Sequence, residues 1–208
     1  ILLKGEFVRS LKPAGSSYGF EHGLFQEVGY ATLLRRQRRE LHQAAFTALS
    51  QACQDNALAS NEELAHHAFG GELWAEAVPL CHEAGRHAAA RCSNREAALH
   101  LENAIAALGN ADLAGTRMAE AIDLRLELRS VCLPLLRLDR IGELLSETDR
   151  LAQRLGDPAR RVRVAAYLAS HAYMTEGVDR SIERCRDALA LADGTTDAKL
   201  KIAPTLFM

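Results

Sequence analysis

Residues 60–78, SNEELAHHAFGGELWAEAV, carry the pattern of a helical hairpin. Ser60 with Glu63 three residues later is a capping box, which predicts the start of a helix. The pair Gly70-Gly71 is expected to end that helix, and a second helix is expected over about residues 73–91. Two helices joined by so few residues pack antiparallel, so this stretch predicts an all-α fold.

The alternation of helix and break continues on both sides of this hairpin. Downstream helices are predicted at about 95–108, 116–137, 141–155, 158–177 and 179–192, with a further one opening in 197–208. Pro134 is expected to kink or end the second of these. Upstream, one helix is predicted from about residue 21 to residue 53. Two short extended segments around the Pro/Gly/Ser stretch at 12–17 predict a small β-hairpin.

Composition supports an all-α class and excludes several functions. The chain has 208 residues, and Ala and Leu, both strong helix formers, make up about a third of them. The formal net charge of −2 argues against a protein that binds nucleic acid or anionic membranes over its whole surface. No apolar run approaches 18 residues, so no membrane span and no membrane partner is predicted.

The cysteines predict neither disulfides nor a zinc ribbon. They are five in number, widely spaced, and contain no C-x-x-C pair: Cys53, Cys81, Cys92, Cys132 and Cys185. In helices such residues are expected to be small buried apolar groups. Free thiols are typical of a reducing compartment, so a cytoplasmic location is predicted.

Internal similarity predicts a stack of helical hairpins. The segment that begins at Leu138 resembles the one that begins at Gly177, at a spacing of roughly 38 residues that is typical of two-helix repeats. Each hairpin can bury its apolar face only against a neighbour, which predicts a superhelical stack. Because the chain begins with Ile1 and stops at Met208 within a helical pattern, it is expected to be a piece of a longer polypeptide. The exposed end of the stack is then a candidate homodimer contact.

Two segments resemble the tetratricopeptide repeat (TPR). Residues 64–78 match it with an aromatic at Trp74 and a small residue at Ala77, and residues 164–190 match it with Tyr173, Gly177 and Ala188. The tryptophan usual in the first helix of that repeat is missing here. The resemblance implies divergent TPR-like repeats over residues 56–208, which serve as a surface for a protein or peptide partner.

The segment 18–42 resembles a second family. It carries the pattern of the junction between the NTPase module and the helical repeats in bacterial signalling ATPases of the STAND class. The matching positions are Phe20, His22, Leu24, Gln26, Tyr30 and His42. The resemblance implies a winged-helix-like remnant at the end of an NTPase module over residues 1–55, with the upstream NTPase domain of the same chain as a partner. Many such proteins also carry a class III nucleotide cyclase or a DNA-binding domain.

No catalytic motif is found. The sequence has no G-x-x-x-x-G-K-[ST], H-E-x-x-H or G-x-S-x-G, so we expect no catalysis and no cofactor in this part of the chain. The histidines and cysteines on three consecutive helices include the adjacent pair His66 and His67 and the pair His82 and His87. Both pairs are expected to point in different directions, so no metal site is predicted.

Two sets of residues remain as candidate binding sites. First-helix positions of the repeats predict a partner groove formed by Glu62, His66, Phe69, Tyr167, His171 and Met174. The basic residues Arg35, Arg36, Arg38 and Arg39 predict a solvated or docking face toward the NTPase domain. The leading hypothesis is a non-catalytic interaction and sensor module. The alternative is part of a transcription regulator that contacts DNA through the basic helix, although the lack of nearby aromatics for base stacking disfavours nucleic acid.

Overall fold

The computed structural model of the protein describes residues 8–10, 18–20, 22–54, 60–111 and 117–193. Within these ranges the chain forms nine α-helices: α1 (Gly23–Thr32), α2 (Arg35–Gln54), α3 (Asn61–Gly70), α4 (Trp74–Ala90), α5 (Asn94–Asn110), α6 (Met118–Cys132), α7 (Leu138–Leu155), α8 (Pro158–Thr175) and α9 (Val178–Asp193). The all-α prediction is confirmed. Two strands, β1 (Val8–Ser10) and β2 (Tyr18–Phe20), pair antiparallel with Arg9 opposite Gly19. The predicted turn at 12–17 and the predicted helix at 197–208 lie outside the described residues.

Local chemistry sets most helix ends where the sequence predicts them. The Ser60 hydroxyl accepts from the Glu63 backbone N–H at 3.2 Å, and the Glu63 carboxylate accepts from the Ser60 N–H at 3.1 Å, which completes the capping box. Asp157 caps α8, whose first residue is Pro158. Gly156 ends α7 with a left-handed φ of 72°, a conformation that glycine adopts without strain.

The prediction of one helix over residues 21–53 is wrong. The chain breaks at Leu33, whose ψ of 137° is extended, so that α1 and α2 are separate helices. The break is stabilised from the next turn, because the Gln37 side chain accepts a hydrogen bond from the Leu34 backbone N–H at 3.0 Å. A polar side chain that reaches back three residues in this way is half of a capping box.

Three turns between helices share one geometry. Glu72, Cys92 and Leu136 have left-handed φ values of 56°, 59° and 54°. In each turn the next backbone N–H donates to a carbonyl five residues earlier: Leu73 to Ala68 at 2.9 Å, Ser93 to Ala88 at 2.9 Å, and Arg137 to Cys132 at 3.3 Å. These bonds satisfy carbonyls that the preceding helix leaves open at its end. The same closure therefore recurs along the chain.

From α2 to α9, the main contacts of each helix are with its neighbours in sequence. The core between them is built from alanines together with larger side chains such as Leu101, Ile122 and Leu144, which are at most 1% exposed. Alanine and glycine allow close approach of the backbones. A Cβ added at Gly85 on α4 would lie 2.9 Å from Leu101 on α5, so only glycine fits there.

Polar side-chain contacts also connect α4 to α6, α5 to α7 and α6 to α8. His82 on α4 contacts Glu127 on α6 at 2.8 Å, and Arg140 on α7 contacts Glu102 on α5 at 3.5 Å. Arg160 on α8 pairs with Asp123 on α6 at 2.6 Å. Helices that alternate in sequence are thus close enough for side chains to bridge them.

The cysteines divide into buried and exposed thiols. Cys81, Cys132 and Cys185 are buried and free, as predicted, and burial raises the pKa of Cys81 to about 12. Cys92 is exposed, against the prediction, because it occupies the left-handed turn between α4 and α5. The side chain of Cys53 lies outside the described part of the chain. Among the described helices, none has the length and apolar character needed to cross a bilayer.

Candidate functional site

A groove of about 860 Å³ lies along α6 and α8. It is lined by His82, Ala119, Glu120, Asp123, Leu124, Leu126, Glu127, Ser130, Ala159, Arg160, Arg163 and Tyr167. The helix α6 contributes the carboxylates and most of the aliphatic surface, whereas α8 contributes the two arginines and the aromatic ring. The lining thus combines aliphatic, aromatic and charged side chains.

The ionisable side chains of the groove have partners within the chain, and Glu120, for example, pairs with Arg117. The Nε2 atom of His82 lies 2.8 Å from a carboxylate oxygen of Glu127. Asp123 accepts hydrogen bonds from both Arg160 and Arg163. Arg160 also donates to Asp157 at 2.5 Å, and this bond is the main reason that the pKa of Asp157 is lowered. A ligand must therefore compete with existing ion pairs.

Tyr167 is the aromatic wall of the groove. The guanidinium of Arg129 lies over its ring at 4.3 Å, within the range of a cation–π contact. Arg129 is only 8% exposed, and burial lowers the pKa of its guanidinium. The Nε atom of Arg129 has no hydrogen-bond partner among the described residues. The ring of Tyr167 is thus held in place by a buried cation from α6.

The other two predicted groove residues on α8, His171 and Met174, have different environments. The Nε2 of His171 lies 3.0 Å from the carbonyl oxygen of Leu138, and a Cβ on Gly142 would come within 3.1 Å of its ring, so His171 packs on α7. Met174 is 37% exposed. Of the six residues predicted to form a partner groove, Tyr167 lines the groove along α6 and α8.

The three predicted groove residues on α3 have separate environments. Glu62 lies 3.3 Å from Arg91, which follows α4. Phe69 meets Trp74 in a T-shaped contact with ring centroids 5.6 Å apart, and both rings pack against the core. His66 is exposed and belongs to a cluster of histidines.

The arginines of α2 are engaged within the chain. Arg35 pairs with Glu72 at 2.7 Å, and Arg39 reaches the same carboxylate at 3.5 Å. These arginines hold the pKa of Glu72 below its ordinary value, with the hydrogen bond from Arg35 as the largest cause. The other two also have neighbours, since Arg36 pairs with Glu40 at 2.7 Å and Arg38 bonds the Leu33 carbonyl oxygen at 3.1 Å. Arg35 and Arg39 therefore connect α2 to the turn before α4.

Three histidines come together between α2 and α3. Nδ1 of His42 lies 3.0 Å from Nδ1 of His67, and the ring centroids of His42, His66 and His67 are 5.1 Å apart in each of the three pairs. The expectation that His66 and His67 diverge is wrong, because the ring of His42 is in contact with both. Burial lowers the pKa of His42 and of His67, and the neighbouring histidines lower it further.

The helix α1 exposes apolar side chains to solvent. None of the residues of α1 is buried, and Leu24 and Val28 are 65% and 54% exposed. Beside them is an apolar cleft of about 560 Å³, lined by Phe20, Phe25, Gln26, Val28, Gly29, Tyr30 and Leu33. His22, singled out by the motif, precedes α1, and its ring lies 5.7 Å from that of Phe25. The sequence predicts helix here but does not reveal that its apolar side is left open.

The comparison with known proteins adds one relative. No family model matches the chain. Over 158 residues, or 76% of the chain, it is 36% identical to an uncharacterized protein of Rhizobium meliloti (strain 1021). The aligned segment covers 14% of that protein, so the chain spans about a seventh of the length of the relative that it matches.

Proposed function

We propose that this chain is a non-catalytic interaction and sensor module built from TPR-like helical repeats. The observation that carries the proposal is the turn shared by Glu72, Cys92 and Leu136, because one closure repeated between successive helices is expected of a repeat architecture. Polar side-chain contacts between alternate helices support it, since alternate helices of a two-helix stack lie in one layer. Residues 56–208 are the proposed repeats.

We further propose that the module belongs to a signalling ATPase of the STAND class in the bacterial cytoplasm. The motif at 18–42 supports this, and the Rhizobium relative is about seven times as long as the segment that it shares with the chain. Residues 1–55 would then be the winged-helix-like end of an NTPase module. The open apolar face of α1 is the surface proposed to pack against that module, and Arg38 of α2 lies over the ring of Tyr30 on α1 at 5.3 Å.

The partner proposed for the groove along α6 and α8 is an extended peptide. The test is selection of binders from a library of random 16-residue peptides displayed on phage, followed by anisotropy titration of an enriched peptide. Tyr167→Ala removes the aromatic wall of the groove and should weaken binding at least tenfold with unchanged helicity by circular dichroism. Leu99→Ala, on an exposed side of α5, is the matched control. Equal affinity of the parent chain and both variants, or loss of helicity in Tyr167→Ala, would contradict the groove.

A non-catalytic module of this kind is expected not to bind ATP. Since the chain has no phosphate-binding loop, calorimetric titration of the protein with ATP and Mg²⁺ should give no heat of binding. Binding in the micromolar range would contradict the proposal.

Titration with a random-sequence DNA duplex tests the alternative, a DNA contact through α2. Because Arg35, Arg36 and Arg39 are already paired with carboxylates, we expect no salt-dependent binding.

A further inference from the structure

We propose that His42, His66 and His67 form a binding site for one divalent transition-metal ion of the Zn²⁺ class, which joins α2 to α3. Each histidine offers one ring nitrogen, and the three nitrogens all lie within 4.8 Å of one another. The three ring centroids form a triangle with equal sides of 5.1 Å. The site is independent of the proposed peptide groove, which lies on α6 and α8.

The distances fit imidazole ligation. Zn²⁺ binds histidine nitrogen at about 2.0–2.1 Å in a tetrahedron, which places two ligating nitrogens about 3.3 Å apart. The Nδ1 atoms of His42 and His67 are 3.0 Å apart, so small rotations of the rings bring both to a shared ion. The side chain of His66 is exposed and can turn toward the same point. Three imidazoles are a donor set that suits Zn²⁺, Cu²⁺ and Ni²⁺.

The hydrogen bond between His42 and His67 is a further reason for the assignment. Two Nδ1 atoms face each other, and one of them must carry a proton for the contact to be favourable. A metal ion can replace this shared proton, because the protonated ring can shift its proton to its other nitrogen. Both lone pairs then point at the ion, and no net proton has to be released.

Tyr30 orients the first of the three ligands. Its hydroxyl lies 2.8 Å from Nε2 of His42, which leaves Nδ1 of the same ring to face His67. A hydrogen bond on the second ring nitrogen is the usual support of a histidine ligand, and its loss typically lowers metal affinity 10- to 100-fold. Tyr30 lies on α1, so the support of the site comes from a third helix.

A hydrogen bond beside the cluster holds α2 against the end of α3. The Gln43 side-chain amide donates to the carbonyl oxygen of Gly71 at 2.8 Å, which docks α2 on the end of α3. Glu63 lies four residues before His67 on α3, so both side chains are on the same side of the helix, and a negative charge near the cluster favours an ion of charge +2. The ion would thus stabilise the contact between the segment that resembles the end of an NTPase module and the first helical hairpin.

The test uses the full 208-residue chain, without a histidine tag and stripped with EDTA. Calorimetric titration with ZnCl₂ should show one site per chain in the micromolar range or tighter, and CoCl₂ should give the intense visible absorption of a tetrahedral ion. His66→Ala removes an exposed ligand and should weaken Zn²⁺ binding at least tenfold with unchanged helicity. His67→Ala should do the same, and Tyr30→Phe should weaken it 10- to 100-fold.

The matched control is His87→Ala, an exposed histidine on α4 that is 53% accessible. It should bind Zn²⁺ like the parent chain. Absence of stoichiometric Zn²⁺ binding by the parent chain would overturn the proposal. It would also be overturned if His66→Ala and His67→Ala bound as tightly as the parent, or if His87→Ala lost as much affinity as they do.

Discussion

Gly70, at the end of α3, lies directly against the ring of His42 on α2. A Cβ on Gly70 would lie 2.8 Å from three carbon atoms of the His42 ring, a distance closer than packed side chains allow. His42 is 7% exposed, so its ring has little room to move away. The glycine that ends α3 is therefore required for the close approach of α2.

Replacement of Gly70 by alanine should lower the free energy of unfolding by about 1–3 kcal/mol, because an added methyl in a packed site forces its neighbours to shift. Urea denaturation measures this. Gly109→Ala is the matched control, since nothing lies within 4 Å of the added Cβ, and alanine in a helix should stabilise by up to about 1 kcal/mol. Equal effects of the two substitutions would refute the steric argument.

Leu136→Gly is expected to stabilise the protein. Leu136 has a φ of 54°, and a left-handed conformation costs a residue with a side chain about 1–2 kcal/mol. Its side chain is 78% exposed, so little buried area is lost. Glycine loses more backbone entropy on folding than leucine does, and this offsets part of the gain in the free energy of unfolding. The midpoint of thermal unfolding should rise, whereas Leu99→Gly within α5 should lower it; a fall in both would contradict the prediction.

Asp157 should contribute stability that depends on pH. Its carboxylate caps α8 and bonds Arg160, and Asp157→Ala should cost about 0.5–2 kcal/mol at neutral pH. Since the pKa of Asp157 is lower in the folded chain, the contribution is complete above the unfolded pKa of about 3.9 and is lost as the pH falls through the folded value. The difference in stability between the parent and Asp157→Ala should therefore shrink on acidification. A constant difference down to pH 2 would contradict this.

Trp74→Ala should destabilise the first hairpin. The indole is partly buried and packs on Phe69, so the loss should lie toward the lower end of about 3–5 kcal/mol. Trp74→Phe keeps a ring in the contact and should lose less. Thermal unfolding is followed by far-UV circular dichroism. Tryptophan fluorescence does not serve, because Trp74 is the single tryptophan of the chain and both variants remove it. An unchanged melting temperature in Trp74→Ala would place the indole outside the stabilising core.

Helix starts were predictable where the signal is local. Ser60 with Glu63, and Asp157 with Pro158, carry their caps within four residues. The break at Leu33 was not predictable, because no glycine or proline marks it. The side chain that stabilises it, Gln37, lies inside the next helix. The turns at Glu72, Cys92 and Leu136 were likewise hidden, since their left-handed residues are not glycine.

The histidine cluster could not be predicted because it depends on tertiary packing. Adjacent residues on a helix point about 100° apart, which led to the expectation that His66 and His67 diverge. The third ring, His42, comes from a helix 24 residues earlier and contacts both. The helical spacing of Tyr167 predicts its place on one face of α8, but the cation beneath its ring, Arg129, lies on a different helix.

The main contacts from α2 to α9 join neighbours along the chain, and this has a consequence for how such a protein can change in evolution. A duplication or deletion of one hairpin alters one junction and leaves the remaining helices in their places. The array can thus grow or shorten in steps without a redesign of a central core. The length of the array can therefore differ among descendants of one gene even where the fold of each hairpin stays the same.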